Sequence, residues 1–148
     1  MILIGLNYMH ENHIMHRDLN PRNILVSLLP GNFKILQITD FGLSKKTNCV
    51  DNQSQTLANL TAKFYKAPEV FKGEVPTTKV DMWALGIILY EITTKKHPIS
   101  KEIEITDSNP IEIPSSIPPF LQFLLTILLD KNPATRPSAE ELFSLQEI

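Results

Sequence analysis

The sequence has one cysteine, Cys49, in 148 residues. No internal disulfide can form, so the chain reads as one suited to a reducing compartment, the cytoplasm first, with the nucleus also open. Glycine is scarce as well. Gly5, Gly31, Gly42, Gly73 and Gly86 are the five, and no two are closer than eleven positions. A Rossmann G-x-G-x-x-G, a Walker A loop or any other Gly-rich phosphate loop needs closer pairs, so this segment supplies no glycine cradle. No apolar run approaches the ~20 residues that cross a bilayer, and the start, Met1-Ile2-Leu3-Ile4, lacks a cationic leader. An excess of one charge is also missing: 14 Lys and Arg against 16 Asp and Glu give −2. That balance argues against non-specific binding to nucleic acid or an anionic membrane. With 43% apolar and 20% charged residues, wholesale disorder is excluded, and the length suits one domain with a real core.

The pattern along the chain predicts mostly helix with one small hairpin. Ile2, Leu3, Leu6 and Met9 fall at helical spacing within 2–12. Ile24-Leu25-Val26 suits a short buried strand, Pro30-Gly31-Asn32 a turn, and 33–39 a second strand. Residues 43–62 are polar without a period and read as a long exposed loop. From Met82 to Ile92 nearly every residue is apolar, which predicts a helix buried on all sides at the centre of the fold. Thr78 with Asp81 looks like a capping box at its start, and Ser138 with Glu141 like a second one before a last helix. Between Pro98 and Pro119 the proline density predicts irregular chain, then an apolar helix from Phe120 to Leu129. No internal repeat or domain break is visible.

The chemistry-bearing segment is His16-Arg17-Asp18-Leu19-Asn20-Pro21-Arg22-Asn23, which matches H-R-D-L-x-x-x-N. Asp40-Phe41-Gly42 follows seventeen residues after Asn23, and Ala67-Pro68-Glu69 follows that, with the polar loop between them. Asp81-Met82-Trp83-Ala84-Leu85-Gly86 gives D-x-W-x-x-G, and Asp130 to Pro137 ends in Arg136-Pro137. Five motifs in this order resemble the eukaryotic protein kinase family over essentially the whole chain.

The resemblance implies a fold and a site. The fold is mainly α: a kinase C-lobe helical bundle around a buried central helix, with one small β-hairpin carrying the catalytic and metal-binding loops. Residues 1–148 would be a partial kinase domain with the N-lobe absent. The implied activity is phosphoryl transfer from ATP and Mg²⁺ to a hydroxyl of a protein substrate. Such transfer needs positioned metal and an oriented hydroxyl more than covalent help. Asp18 would orient that hydroxyl and accept its proton, while Asn23 and Asp40 are hard oxygen ligands suited to Mg²⁺. Leu25 would lie beneath the adenine. His16 and Phe41 would stack, anchored through Asp81, and Glu69 and Arg136 would form a buried ion pair. Gly42 would ease the turn after Asp40. Arg17 would receive a phosphate placed on the activation loop, at Thr56 first, then Ser54 or Thr61.

Three features depart from the family. Its serine/threonine members carry a lysine two residues after the catalytic aspartate, where this chain has Asn20; Arg22 stands where many tyrosine kinases carry a compensating arginine. The threonine that normally bonds the catalytic aspartate is Ala62 here, with Thr61 one position early. The Gly-rich loop, strand lysine, helix glutamate and hinge precede the catalytic loop in the family, yet only fifteen residues precede His16. The segment Phe64 to Glu69 lacks the tryptophan of tyrosine kinases, which favours serine or threonine as acceptor. The rival reading is a standalone inactive lobe that acts as a scaffold or interaction module. Of the plainer alternatives, His10, His13 and His16 at three-residue spacing read as helix-end and loop residues rather than a metal site. Trp83 reads as core, Cys49 as a plain thiol, and Lys45-Lys46 and Lys95-Lys96 as solvated pairs. The residues leave the oligomeric state open.

Overall fold

A computed structural model describes residues 1–47 and 62–145. Helix α1 (Ile2–Glu11) leads into the short strand β1 (Ile14–Met15). The hairpin of β2 (Ile24–Leu29) and β3 (Phe33–Ile38) follows, then β4 (Lys45–Lys46). Beyond the undescribed stretch come α2 (Pro68–Phe71), α3 (Lys79–Thr94), α4 (Ile103–Thr106), α5 (Pro119–Leu128) and α6 (Ala139–Ser144).

Helix α3 is the hub, and its successive side chains feed two cores. Val80, Trp83 and Ile87 pack with Ala67, Val70, Ile99, Ile105 and Leu125, while Met82, Ala84 and Ile88 pack with Leu6, Leu19, Leu128 and Leu142. Met82, Trp83 and Ile87 have no exposed surface. Burial is complete only over the first part of the helix, because Ile92 near its C-terminus is exposed. Gly86 permits the close approach of α5: a Cβ there would lie 2.9 Å from Leu128 Cβ and from Leu129 Cδ2. The start of α6 carries the expected reciprocal cap, with Glu141 N–H donating to Ser138 Oγ at 3.1 Å and Ser138 N–H to Glu141 Oε2 at 2.6 Å.

Several expectations need correction. Thr78 makes no side-chain cap at the start of α3; the carboxylate of Asp81 is engaged with another segment. The strand Ile24–Leu29 is not buried, since Leu25, Val26 and Leu28 are all exposed. An apolar run fixes which residues avoid water, not which element of the fold covers them. The hairpin is not the only sheet: β1 pairs antiparallel with β4, Ile14 opposite Lys46 and Met15 opposite Lys45. The irregular stretch holds one turn of helix, α4. Helix α5 buries Leu125 and Leu128 but leaves Phe120 and Phe123 exposed.

Candidate active site

The loop between β1 and β2 is held from below by a buried carboxylate. Asp81, on α3 and 1% exposed, accepts from the backbone N–H of His16 at Oδ2 and of Arg17 at Oδ1, both at 2.9 Å. Oδ2 is also 2.9 Å from His10 Nε2. Hydrogen bonds to an ionised acceptor are the strong kind. They fall where the backbone most needs fixing, because Arg17 sits at φ 70°, in the left-handed region a non-glycine residue adopts only at a cost. His16 is fixed at both ring nitrogens: Nε2 is 2.9 Å from Thr39 O, and Asp18 N–H reaches Nδ1 at 3.3 Å. A carbonyl only accepts and an amide only donates, so Nε2 carries the hydrogen and Nδ1 the lone pair. Its ring meets Phe41 edge-on with centroids 5.5 Å apart.

Asp18 is 8% exposed. Asn23 donates from Nδ2 to Asp18 O at 2.8 Å and to Asp18 Oδ2 at 3.1 Å. Both bonds use the amide nitrogen and leave the Asn23 carbonyl oxygen as a hard donor. Asp18 Oδ1 is 2.9 Å from Lys66 Nζ, which also donates to Arg17 O at 2.5 Å. Asn20 is consumed by the loop itself: it donates to Asp18 O at 2.8 Å and accepts from Arg22 N–H at 3.0 Å, capping the 3-10 turn Pro21–Asn23. Arg22 is exposed. The cation against Asp18 is therefore Lys66, a residue the sequence reading passed over.

Asp40 follows β3 at φ 61° and accepts from Gly42 N–H at Oδ1, 3.2 Å. The left-handed residue of this turn is Asp40 itself, not Gly42; a Cβ at Gly42 would lie 3.2 Å from Asp40 Oδ1, a tight contact that a small shift of the exposed carboxylate relieves. Asp40 and Phe41 are exposed, as is Leu25 on β2. The oxygen donors of Asn23 and Asp40 fit Mg²⁺, which takes one or two protein oxygens and fills its remaining positions with phosphate and water. His10 and His16 are occupied by Asp81 and Thr39, and no group of three His, Cys, Asp or Glu converges on a metal position among the described residues.

Away from the loop, Arg136 and Glu69 form a two-pronged pair, NH1–Oε1 2.8 Å and NH2–Oε2 3.0 Å, both side chains buried. Tyr65 donates to Glu91 Oε2 at 2.7 Å, and burial, reinforced by that carboxylate, pushes its phenol well above the usual range. Thr56, Ser54, Thr61 and Cys49 lie outside the described residues.

The sequence matches the protein kinase domain over residues 1–146. This chain belongs to the protein kinase family. It is 34% identical over 153 residues to serine/threonine-protein kinase Nek11 of Macaca fascicularis, covering 99% of this chain and 23% of that one. It is also 34% identical over 147 residues to Aurora kinase of Schizosaccharomyces pombe, covering 93% of this chain and 38% of that one. The "Probable serine/threonine-protein kinase DDB_G0271682" of Dictyostelium discoideum is 36% identical over 141 residues, covering 93% and 13%. The kinase chain thus spans well under half the length of these relatives. Its likeness to serine/threonine kinases favours that class over tyrosine kinases. No described helix is long and apolar enough to cross a membrane.

Proposed function

We propose that residues 1–148 are the C-terminal lobe of a serine/threonine protein kinase, which works with a nucleotide-binding lobe to move a phosphoryl group from ATP to a protein hydroxyl. The observation that carries the reading is the fixation of Asp18: its loop is tied to Asp81 of the central helix and its carboxylate to Asn23 and Lys66. A group held this way meets a substrate hydroxyl in one orientation, and orientation is the larger part of what phosphoryl transfer asks of a protein. Asp18 orients the hydroxyl and takes its proton. Asn23 and Asp40 would hold Mg²⁺, which neutralises charge on the phosphates when bound. Leu25 offers an apolar floor to the adenine, and its exposure supports that use. Arg17 is the receiver for a phosphate on Thr56, or failing that Ser54 or Thr61. His16 and Phe41 brace the Asp40 turn against the catalytic loop. The single cysteine supports work in the cytoplasm or nucleus.

The sequence holds no Gly-rich loop of the kind that covers the phosphates in this family, so the 148-residue chain by itself should turn over no ATP. Turnover by the purified chain that is abolished by Asp40→Ala would overturn this. The second reading, a standalone interaction lobe, draws on the apolar side chains that both faces of the hairpin expose, Leu25 and Phe33 on one and Val26 and Leu28 on the other. Mapping the 5′ end of the transcript separates the two. A frame continuing upstream into a Gly-rich loop and a strand lysine supports the enzyme; a stop codon just before Met1 supports the scaffold.

A further inference from the structure

We propose that Lys66 is the positioning cation for Asp18, delivered from the segment before α2 in place of the lysine that position 20 lacks; this rests on the kinase reading above. Lys66 is 5% exposed. A lysine is seldom buried so far unless its charge is met. Here it is met twice, by Asp18 Oδ1 at 2.9 Å and by Arg17 O at 2.5 Å. The other positions from which such help would come are spent or mute. Asn20 is tied up capping its own turn, Arg22 is exposed, and Ala62 has only a methyl group. The lysine missing at position 20 and the hydroxyl missing at position 62 would both have served this carboxylate in the family, and Lys66 supplies a charged partner in their place.

The arrangement has a physical consequence. With Asn23 on Oδ2 and Lys66 on Oδ1, both oxygens of Asp18 are tethered, so rotation of the carboxylate is suppressed. Lys66 is also the residue before Ala67-Pro68-Glu69, and Glu69 is locked to Arg136. Asp18 is therefore oriented by the α2 segment as well as by its own loop, and the seating of that segment governs the orientation of the base.

In the full-length protein, Lys66→Met should lower kcat about 10²-fold, the scale of a misplaced reacting group, with KM for ATP unchanged within about twofold. Adding Asn20→Lys to Lys66→Met should restore kcat to within about tenfold of wild type, a rescue that loss of packing alone would not allow. Wild-type kcat in Lys66→Met, or a loss that Asn20→Lys leaves untouched, overturns the proposal. A second measurement stands apart from activity. In the 148-residue chain, acetylation by an N-hydroxysuccinimide ester, read residue by residue by mass spectrometry, should be slower at Lys66 than at exposed Lys72, and Asp18→Asn should accelerate it at Lys66 alone. Equal Lys66 rates in wild type and Asp18→Asn overturn the pairing. If the wild-type full-length protein transfers no phosphate, the kinase reading falls, and the acetylation rates still decide whether Lys66 serves Asp18.

Discussion

Glu69→Ala removes the counter-charge of a guanidinium that has no exposed surface. Arg136 would keep two neutral acceptors, Asp130 O at 2.9 Å from Nε and Lys79 O at 2.8 Å from NH1, and would still lie over Trp83, 5.2 Å from the ring centroid. It would lose both charged bonds, at 2.8 and 3.0 Å. Removing one partner of a buried pair costs about 3–5 kcal/mol, because the remaining charge is neither solvated nor matched. For a domain of this size each kcal/mol moves the midpoint by about 2–4 °C, so the loss amounts to roughly 6–20 °C. Thermal unfolding of the 148-residue chain by circular dichroism gives the number directly. Replacing Arg136 by Met as well should recover more than half of the loss, since the orphaned charge goes with it. Glu69→Gln, which keeps one acceptor, should fall between wild type and Glu69→Ala. A Glu69→Ala midpoint within about 2 °C of wild type would refute the reasoning, as would a double variant less stable than the single one.

Other outcomes follow from the same geometry. Gly86→Ala forces a methyl to within 2.9 Å of Leu128 and Leu129 and should cost about 1–3 kcal/mol in chemical denaturation; an unchanged midpoint would mean that α5 does not approach α3 so closely. Glu141 is held below its ordinary carboxyl value of 4.5, first by the Ser138 N–H and then by Lys79. A group with a lowered folded pKa gives stability above its unfolded value and loses it as the pH falls through the folded one. Glu141→Gln, which keeps an acceptor but removes the charge, should therefore weaken the chain slightly at pH 7 and make little difference once acid has protonated Glu141; a deficit as large in acid as at pH 7 would count against the charged cap. In active full-length protein, Thr56→Ala and Arg17→Ala should each lower activity and should not add in the double variant. Full activity in Thr56→Ala removes that site.

Asp18, Asn23, Asp40 and the Glu69 and Arg136 pair are legible through the resemblance of their motifs to those of kinases. Of these expectations the structure brings Asn23 against Asp18 and Arg136 against Glu69. What stayed hidden was the long-range pairing that no motif of the family announces. Lys66 is 48 residues from Asp18, and a lysine beside a proline-led helix has the local signature of any surface lysine. For Asp81 the local spacing after Thr78 suggests a cap and the family resemblance an anchor for His16; its carboxylate accepts from the His16 and Arg17 amides, 65 and 64 residues away, and caps nothing with Thr78. His10, read as a helix-end residue, is within hydrogen-bonding distance of that carboxylate. The exposed hairpin was misjudged for a related reason: Leu25 and Val26 are apolar, and nothing local distinguishes a strand inside a core from one that faces outward.

The central claim is that Asp18, fixed by Asp81, Asn23 and Lys66, is the group that prepares a protein hydroxyl for phosphoryl transfer. The most direct measurement is the single-turnover rate of phosphate transfer from Mg²⁺-ATP to a protein substrate by the full-length protein, compared with Asp18→Asn. Asparagine keeps the size of the side chain but cannot take the proton, so the rate should fall about 10²–10⁴-fold while nucleotide affinity stays the same. A rate in Asp18→Asn equal to wild type would contradict the account.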